Sequence, residues 1–428
     1  MALGGGTFLT QNKVLPGAYI NFVSKDVPSA SLTDRGVIAF GFDWDWGKDG
    51  EIFELSEMDI IRDSMEILGY DYADPKLNGL KDLFKNATKV YFYKLNTGGV
   101  KASCTHATAN FNGVRGNELK VVIAKNVDNQ SNYDVSLYLG TKLVDLQTVS
   151  KAEELVDNAY VTWKKSAPLS ENAGLKFTSG ENGSVSASEH QTFLTLCESY
   201  PDINAIGYAG TDEAIKKLYA AWVKNMRDKV GVKLQAVLFN YTADSEAIVN
   251  VKNSENLVYW ATGVIGGTAV NASATNKKYD GNFEVNVKYS QSDLEKCIKN
   301  GEWVLHRVGN DIRVLEDINS LTTVTVDKGE IFKDNQTIRI IDQIAMAIAS
   351  VFNSKYLGQV PNDKDGRLSL WGDITHVHNQ LQSIRALQDF KPEHITVEQG
   401  DAKSSVLVNE SITIVNTMER LYMSVIVG

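Results

Sequence analysis

The residues best placed to do chemistry sit in one aromatic, acidic loop, Gly41-Phe42-Asp43-Trp44-Asp45-Trp46-Gly47-Lys48-Asp49-Gly50. A phosphate cradle needs G-x-x-x-x-G-K followed by Ser or Thr, so that backbone amides and a hydroxyl can hold phosphate and magnesium. Here the glycine spacing is wrong and Asp49 follows the lysine. Asp43, Asp45 and Asp49 also suggest a calcium loop. One frame puts Gly47 at a ligand position, and the other lacks the closing bidentate glutamate. The loop is expected to be a solvated, aromatic-flanked turn. Asp363-Lys364-Asp365-Gly366 is incomplete in the same way.

His376 and His378 are two residues apart, which on a helix is about 200° around the axis, so one metal ion could not bind both as it binds an i, i+4 pair. On a strand they could share one. Cys104, Cys197 and Cys297 lie far apart without a CxxC spacing, which predicts packed thiols and a reducing, cytoplasmic site of synthesis. A Ser-His-Asp triad is a spatial arrangement that composition cannot exclude, but no G-x-S-x-G elbow occurs. No catalytic, cofactor-binding or metal-ligating residue is therefore assigned.

The elements around these residues belong to a folded, multidomain chain. At 428 residues, with 43% hydrophobic and 22% charged side chains, the sequence has room for about three domains and a large core. A net charge of -10 argues against a general nucleic-acid binder, which needs a basic face. No basic and apolar signal precedes the first domain. The most apolar helical stretch, 338–352, is broken by Arg339, Asp342 and Gln343, so membrane insertion is not expected.

Residues 1–21 carry sparse apolar groups around Gly4-Gly5-Gly6 and are expected to be an extended arm. A small α+β domain follows at 22–98, with a helix capped by Ser56 and Asp59 and stopped at Gly69. Alternating runs over 99–183 predict a β-sandwich. Residues 184–330 alternate helices with buried apolar runs and predict an α/β domain. One helix there is expected to start on Thr211 and stop at Gly231, with a strand over 232–239. Another is expected to start on Ser292 with Glu295 and close at Gly301, before a strand over 302–305. A C-terminal α+β domain at 331–417 is expected to hold helices at 337–356 and 373–390. A strand arm at 418–428 ends the chain.

That last stretch, with Leu421, Met423, Val425 and Val427 alternating and no charge after Arg420, needs a strand partner. Either it pairs inside its own domain, or it augments a sheet of a neighbouring subunit.

The run Gly4-Gly5-Gly6-Thr7-Phe8, then Leu15-Pro16-Gly17-Ala18-Tyr19-Ile20-Asn21-Phe22, the step Thr33-Asp34-Arg35-Gly36-Val37 and the terminus Val425-Ile426-Val427 resemble contractile tail sheath proteins of Gram-positive myophages and related R-type bacteriocins. The weight lies in their order and spacing over nearly the whole chain. The resemblance implies a central domain of subtilisin-like fold without catalysis, and subunits in stacked six-fold rings forming a helical homo-oligomer around a tail tube. It implies baseplate and tail terminator proteins as further partners, and a place in a virion tail or tail-like particle. It further implies exchanged arms, which by position are Phe8, Leu9, Val14 and Leu15 at one end and Leu421, Met423, Val425 and Val427 at the other. Tube contact through the C-terminal region would involve Arg367, Arg385 and Lys391. Two other readings stay open, another tail or particle protein such as a tube or capsid component, and a hydrolase using the α/β domain.

Overall fold

The computed structural model describes residues 35–427. The expected N-terminal arm, with Phe8, Leu9, Val14 and Leu15, lies outside them.

The described residues open with β1 (Val37–Phe42), β2 (Ile52–Leu55), helix α1 (Glu57–Leu68), helix α2 (Asn78–Phe84) and β3 (Lys89–Lys94). As expected, Ser56 caps α1 in a reciprocal box with Asp59, and Gly69 closes it at φ 79°. Seven strands follow as β4 (Lys101–Ser103), β5 (Ala107–Asn112), β6 (Leu119–Lys125), β7 (Tyr133–Leu139), β8 (Lys142–Val149), β9 (Val161–Trp163) and β10 (Asn172–Lys176). They form two antiparallel sheets, β4-β5-β9 and β10-β6-β7-β8, whose facing apolar residues include Ala109, Val121, Leu137 and Val161. This is the expected sandwich.

Next come α3 (Ala187–Cys197), β11 (Ala205–Tyr208), α4 (Glu213–Asn225), β12 (Gln235–Phe239), β13 (Ile248–Val251), α5 (Leu257–Gly267), α6 (Gln291–Lys299) and β14 (Glu302–Trp303). The four strands do not form a sheet alone. One seven-stranded sheet runs β14-β13-β12-β11-β1-β3-β2, parallel except for β2, with Ile38 opposite Ala205 and Val90. The segment expected as a separate domain at 22–98 therefore shares a sheet with the 184–330 segment, and the sandwich is inserted between them. Local patterning cannot show such a join, because strand pairing across more than a hundred residues leaves no trace in periodicity.

Alternation along β1 explains the layers. Ile38, Phe40 and Phe42 point to one face, under α2 and α5, while Ala39 points to the other, under Phe193 of α3 and Tyr219 and Val223 of α4. Each face thus has its own core.

Several helix starts shift. Asp212, not Thr211, caps α4, donating nothing and accepting from the amides of Ala214 and Ile215; a π-type turn then runs on to Gly231, which stops the chain at φ 91°. Ser290 with Asp293, not Ser292 with Glu295, caps α6. The strand expected at 302–305 is split at Val304, whose successor opens β15 (Leu305–Val308), paired with β16 (Asp311–Val314).

The C-terminal unit contains α7 (Asn335–Val351), α8 (Lys364–Ser383), β17 (Leu387–Gln388), β18 (Ile395–Gln399), β19 (Val406–Glu410) and β20 (Thr413–Ile414). Ile340, Ile344, Ala347 and Val351 of α7 meet Leu370, Ile374, Val377 and Leu381 of α8 at its core. The helix expected at 373–390 instead starts nine residues earlier, because Asp363 caps it by accepting from the Gly366 amide at 2.8 Å. Its early turns carry polar residues and Gly366, which masked the helical period.

A buried ionic joint ties α7 to the large sheet unit. Arg339 and Asp317, each 1% exposed, meet at 2.6 Å, and Arg227 holds Asp342 through two 2.7 Å bonds. Asn335 donates to Asp317 at 3.0 Å and accepts from Gln235 at 2.9 Å.

Candidate assembly interface

The residues tested first for chemistry have structural work. Asp49 accepts from the Gly98 amide at 3.0 Å and Asn112 at 2.7 Å, while Asp45 accepts from the Tyr70 hydroxyl at 2.7 Å. Buried Lys94 hydrogen-bonds the side chain and carbonyl of Asn112 and lies 3.8 Å from Asp49. A cation is thus built into this loop by the chain itself. Among the described residues, no cluster of three His, Cys, Asp or Glu side chains could hold a metal ion, and no helix is long and apolar enough to cross a membrane.

His378 is buried in α8, stacked on Phe390, with Nδ1 bonded to the Ile374 carbonyl at 2.8 Å and Nε2 3.2 Å from Glu410 of β19. Burial opposes its charge, but Glu410 and the carbonyl outweigh burial and raise its pKa above the ordinary histidine value. It fastens β19 to α8. His376 is exposed beside Gln380.

What the C-terminal unit does offer is an unfinished sheet. β18 and β19 pair with each other in register, Val397 opposite Val408, and among the described residues neither has a partner on its other edge. Val406, Val408 and Glu410 of β19 share one face by strand alternation. That face lines a groove of about 490 Å³ whose opposite wall is an apolar stripe on α7, Ile341, Ala345, Ile348 and Phe352. On the other side of the hairpin, Val397 and Gln399 of β18 and Leu368 and Trp371 of α8 line a second groove of about 420 Å³.

The strand arm has the complementary deficiency. Among the described residues, 418–427 pair with no strand. Leu421, Met423, Val425 and Val427 are 87%, 75%, 70% and 89% exposed. Tyr422 and Ile426, on the alternate positions, are exposed too. This is far more contiguous apolar surface than a finished monomer leaves in water.

The three cations considered for tube contact are not brought together. Arg367 sits in the first turn of α8 and donates to the Asn362 carbonyl and side chain at 3.0 Å. Arg385 lies exposed beyond the other end of that helix, at φ 61°, about 24 Å of helical rise away. Lys391 is exposed just before Pro392. Sequence reasoning singled out the exposed apolar run at 421–427 but missed both grooves and the ionic joint, each assembled from segments far apart in the chain.

Comparisons with known proteins agree with this architecture unit by unit. The chain matches the phage tail sheath protein beta-sandwich domain over residues 97–182, the central domain over 183–320 and the C-terminal domain over 327–428. A sheath tail protein from Desulfitobacterium hafniense is similar in structure, with a TM-score of 0.84 and 30% identity, covering 95% of this chain and 99% of that one. The phage-like element PBSX protein XkdK of Bacillus subtilis is 29% identical over 99% of both chains. The helical sheath of the anti-feeding prophage in its contracted state shares the fold at 13% identity, with a TM-score of 0.59 and coverage of 96% and 98%.

Proposed function

This chain belongs to the phage tail sheath protein family, and from that membership we propose that it polymerises around an inner tail tube through exchanged terminal arms. The observation that carries the reading is the match between an unpaired apolar segment and an unfinished sheet on one molecule. Residues 421–427 of one copy add as a strand to the free edge of β19 in the next. Leu421, Met423, Val425 and Val427 then lie on the groove side, over the apolar stripe of α7. Strand addition supplies about 1 kcal/mol net per main-chain hydrogen bond and leaves a link that can bend. The free edge of β18 and its own groove suit the other arm, with Phe8, Leu9, Val14 and Leu15.

On this reading the subunits stack as six-fold rings, with baseplate and terminator proteins holding the ends of the polymer. Contraction rearranges them as bodies while the arms keep them tethered, driving the tube through a target envelope. No nucleotide is needed, because many small interface gains add along the polymer once an end is released. Arg367, Arg385 and Lys391 face the tube in this scheme. Exchanging Arg385 and Lys391 for Glu and still recovering sheathed tubes would remove them from it.

The test is electron microscopy of the purified chain, alone and with the tube protein, beside a variant lacking residues 1–20 and 418–428. Tubes or stacked rings formed by the full chain and lost in the variant support the reading. A full chain that stays unassembled with tube protein present would sink it.

A further inference from the structure

The arm is fastened before it runs free. Asn416 donates to Asp334 at 2.8 Å, and the Thr417 amide donates to the Gln336 side chain at 3.1 Å. Glu419 accepts from the Thr275 hydroxyl at 2.6 Å, and Arg420 donates to Glu316 at 2.7 Å. Asp334 and Gln336 stand at the start of α7, whereas Thr275 and Glu316 belong to loops of the large sheet unit. The root of the arm is therefore held from two sides of a polar cleft of about 610 Å³.

The arm's own groove is within its reach. From Gln336 to Ala345, in the middle of the groove wall, α7 rises about 14 Å. Ten residues, 418–427, can extend over roughly 33 Å. A short tethered segment meets its own site at an effective concentration in the millimolar range, against micromolar for a second copy. A freely swinging arm would thus close on its own β19 edge and remove both halves of an intersubunit link. Yet here it is exposed and its groove is open.

We infer that Asn416, Thr417, Glu419 and Arg420 form a clasp that sets where the arm leaves the body and so directs it to a second copy of this chain rather than to its own groove. The inference rests on the arm-exchange reading above. It makes the clasp a device for assembly in trans, with positioning residues that touch no partner subunit themselves.

The experiment is amide hydrogen exchange on dilute monomer. In Glu419→Ala/Arg420→Ala the amides of residues 406–410 should exchange at least tenfold more slowly than in the parent, independently of protein concentration. The gain should vanish when residues 421–428 are also deleted. Thr275→Val/Glu316→Gln opens the clasp from the body side and should behave alike, which guards against a fold defect in either variant. Unchanged exchange at 406–410 in both variants would overturn the clasp. A synthetic peptide of residues 418–428, added to the chain lacking them, separates the two ideas. If the peptide protects 406–410 while the clasp variants do not, the clasp alone fails; if the peptide protects nothing, the arm-exchange reading fails and the clasp with it.

Discussion

Replacing Arg339 with Met should reveal how firmly α7 is tied to the large sheet unit. Arg339 and Asp317 are each 1% exposed, and the guanidinium also donates to the Ala272 carbonyl at 2.8 Å. Among the described residues, its loss leaves the Asp317 carboxylate with hydrogen bonds from the Ala274 amide at 2.9 Å and Asn335 at 3.0 Å. Breaking one side of a buried pair costs about 3–5 kcal/mol. Two features pull toward the lower figure. Nε and Nη1 of Arg339 are buried without partners, so their desolvation cost disappears with the side chain. Half-buried Arg35 has its pKa lowered to about 9, by burial first and then by the like charge of Arg339, and that repulsion is relieved. The expected loss is therefore roughly 3 kcal/mol, read as a lower urea midpoint at unchanged slope in the transition that unfolds α7. Asp317→Asn in the same chain should recover most of it, since no charge is then stranded. Acid adds a sign. Burial alone would raise the Asp317 pKa, but Arg339 outweighs it and holds it below 3.8. The pair's contribution is thus present above the unfolded value and fades as pH falls through the lower folded one. The parent and Arg339→Met curves should converge in acid. A loss under about 1 kcal/mol at neutral pH, or no recovery in the double variant, would refute the reasoning.

Met423→Asp/Val425→Asp should leave the monomer's thermal midpoint unchanged, because both side chains are mostly exposed. It should still weaken assembly, since two lost burials of about 1.5–3 kcal/mol each mean at least roughly a hundredfold in affinity by sedimentation. His190 is buried beside the Tyr219 hydroxyl at 3.0 Å, and burial lowers its pKa from 6.5 to about 4. Its neutral form is the folded one, so stability is full above pH 6.5 and falls as pH drops toward 4, by up to about 3 kcal/mol. His190→Gln should flatten that slope in acid unfolding curves. At the crossing between the sandwich and the sheet unit, a Cβ on Gly183 would stand 1.8 Å from the Thr97 carbonyl oxygen. Gly183→Ala should cost about 2 kcal/mol or more in thermal unfolding, because the obstacle is backbone.

How much of this was legible beforehand depends on how far the deciding interaction reaches. Ser56 with Asp59 and Gly69 mark α1 correctly because capping is settled within a turn. For α6, Ser290-Gln291-Ser292-Asp293 and Ser292-Asp293-Leu294-Glu295 are overlapping frames of equal local merit, and the chain uses the first. Thr211 and Asp212 posed the same choice for α4. The union of β1–β3 with β11–β14 was not legible, since Ile38 and Ala205 lie on opposite sides of an inserted sandwich. Nor were the ion pairs: with 43 basic and 53 acidic residues, nothing in the sequence selects Arg227 for Asp342, 115 positions away. The exposed run at 421–427 was legible because its signal is an absence, an alternating apolar run without a core to receive it. Its grooves were not, since Ile341, Leu370 and Val408 line one groove from three separate elements.

The division between what is firm and what is loose bears on how such a subunit could change its packing without unfolding. Within the chain, the joints are expensive to open. Arg339 and Asp317 are buried and charged, Arg227 grips Asp342 with two bonds, and Gly183 crosses Thr97 with no room for a methyl group. Packed interfaces of this kind have few discrete arrangements and resist gradual deformation. The proposed links between chains are of the other kind, main-chain hydrogen bonds and small apolar contacts along a strand that can pivot at its root. A load on a polymer of such subunits would therefore be taken up between bodies rather than within them. The clasp at 416–420 then becomes the pivot, close to the joint where Asp317, Asn335 and Asp334 meet. Burial, followed by repulsion from Asp317, raises the Asp334 pKa to about 6, so the carboxylate that receives Asn416 is itself held in a disfavoured charged state at neutral pH. On the clasp reading, that contact should loosen first as pH falls toward 6, which would free the arm's root on the α7 side.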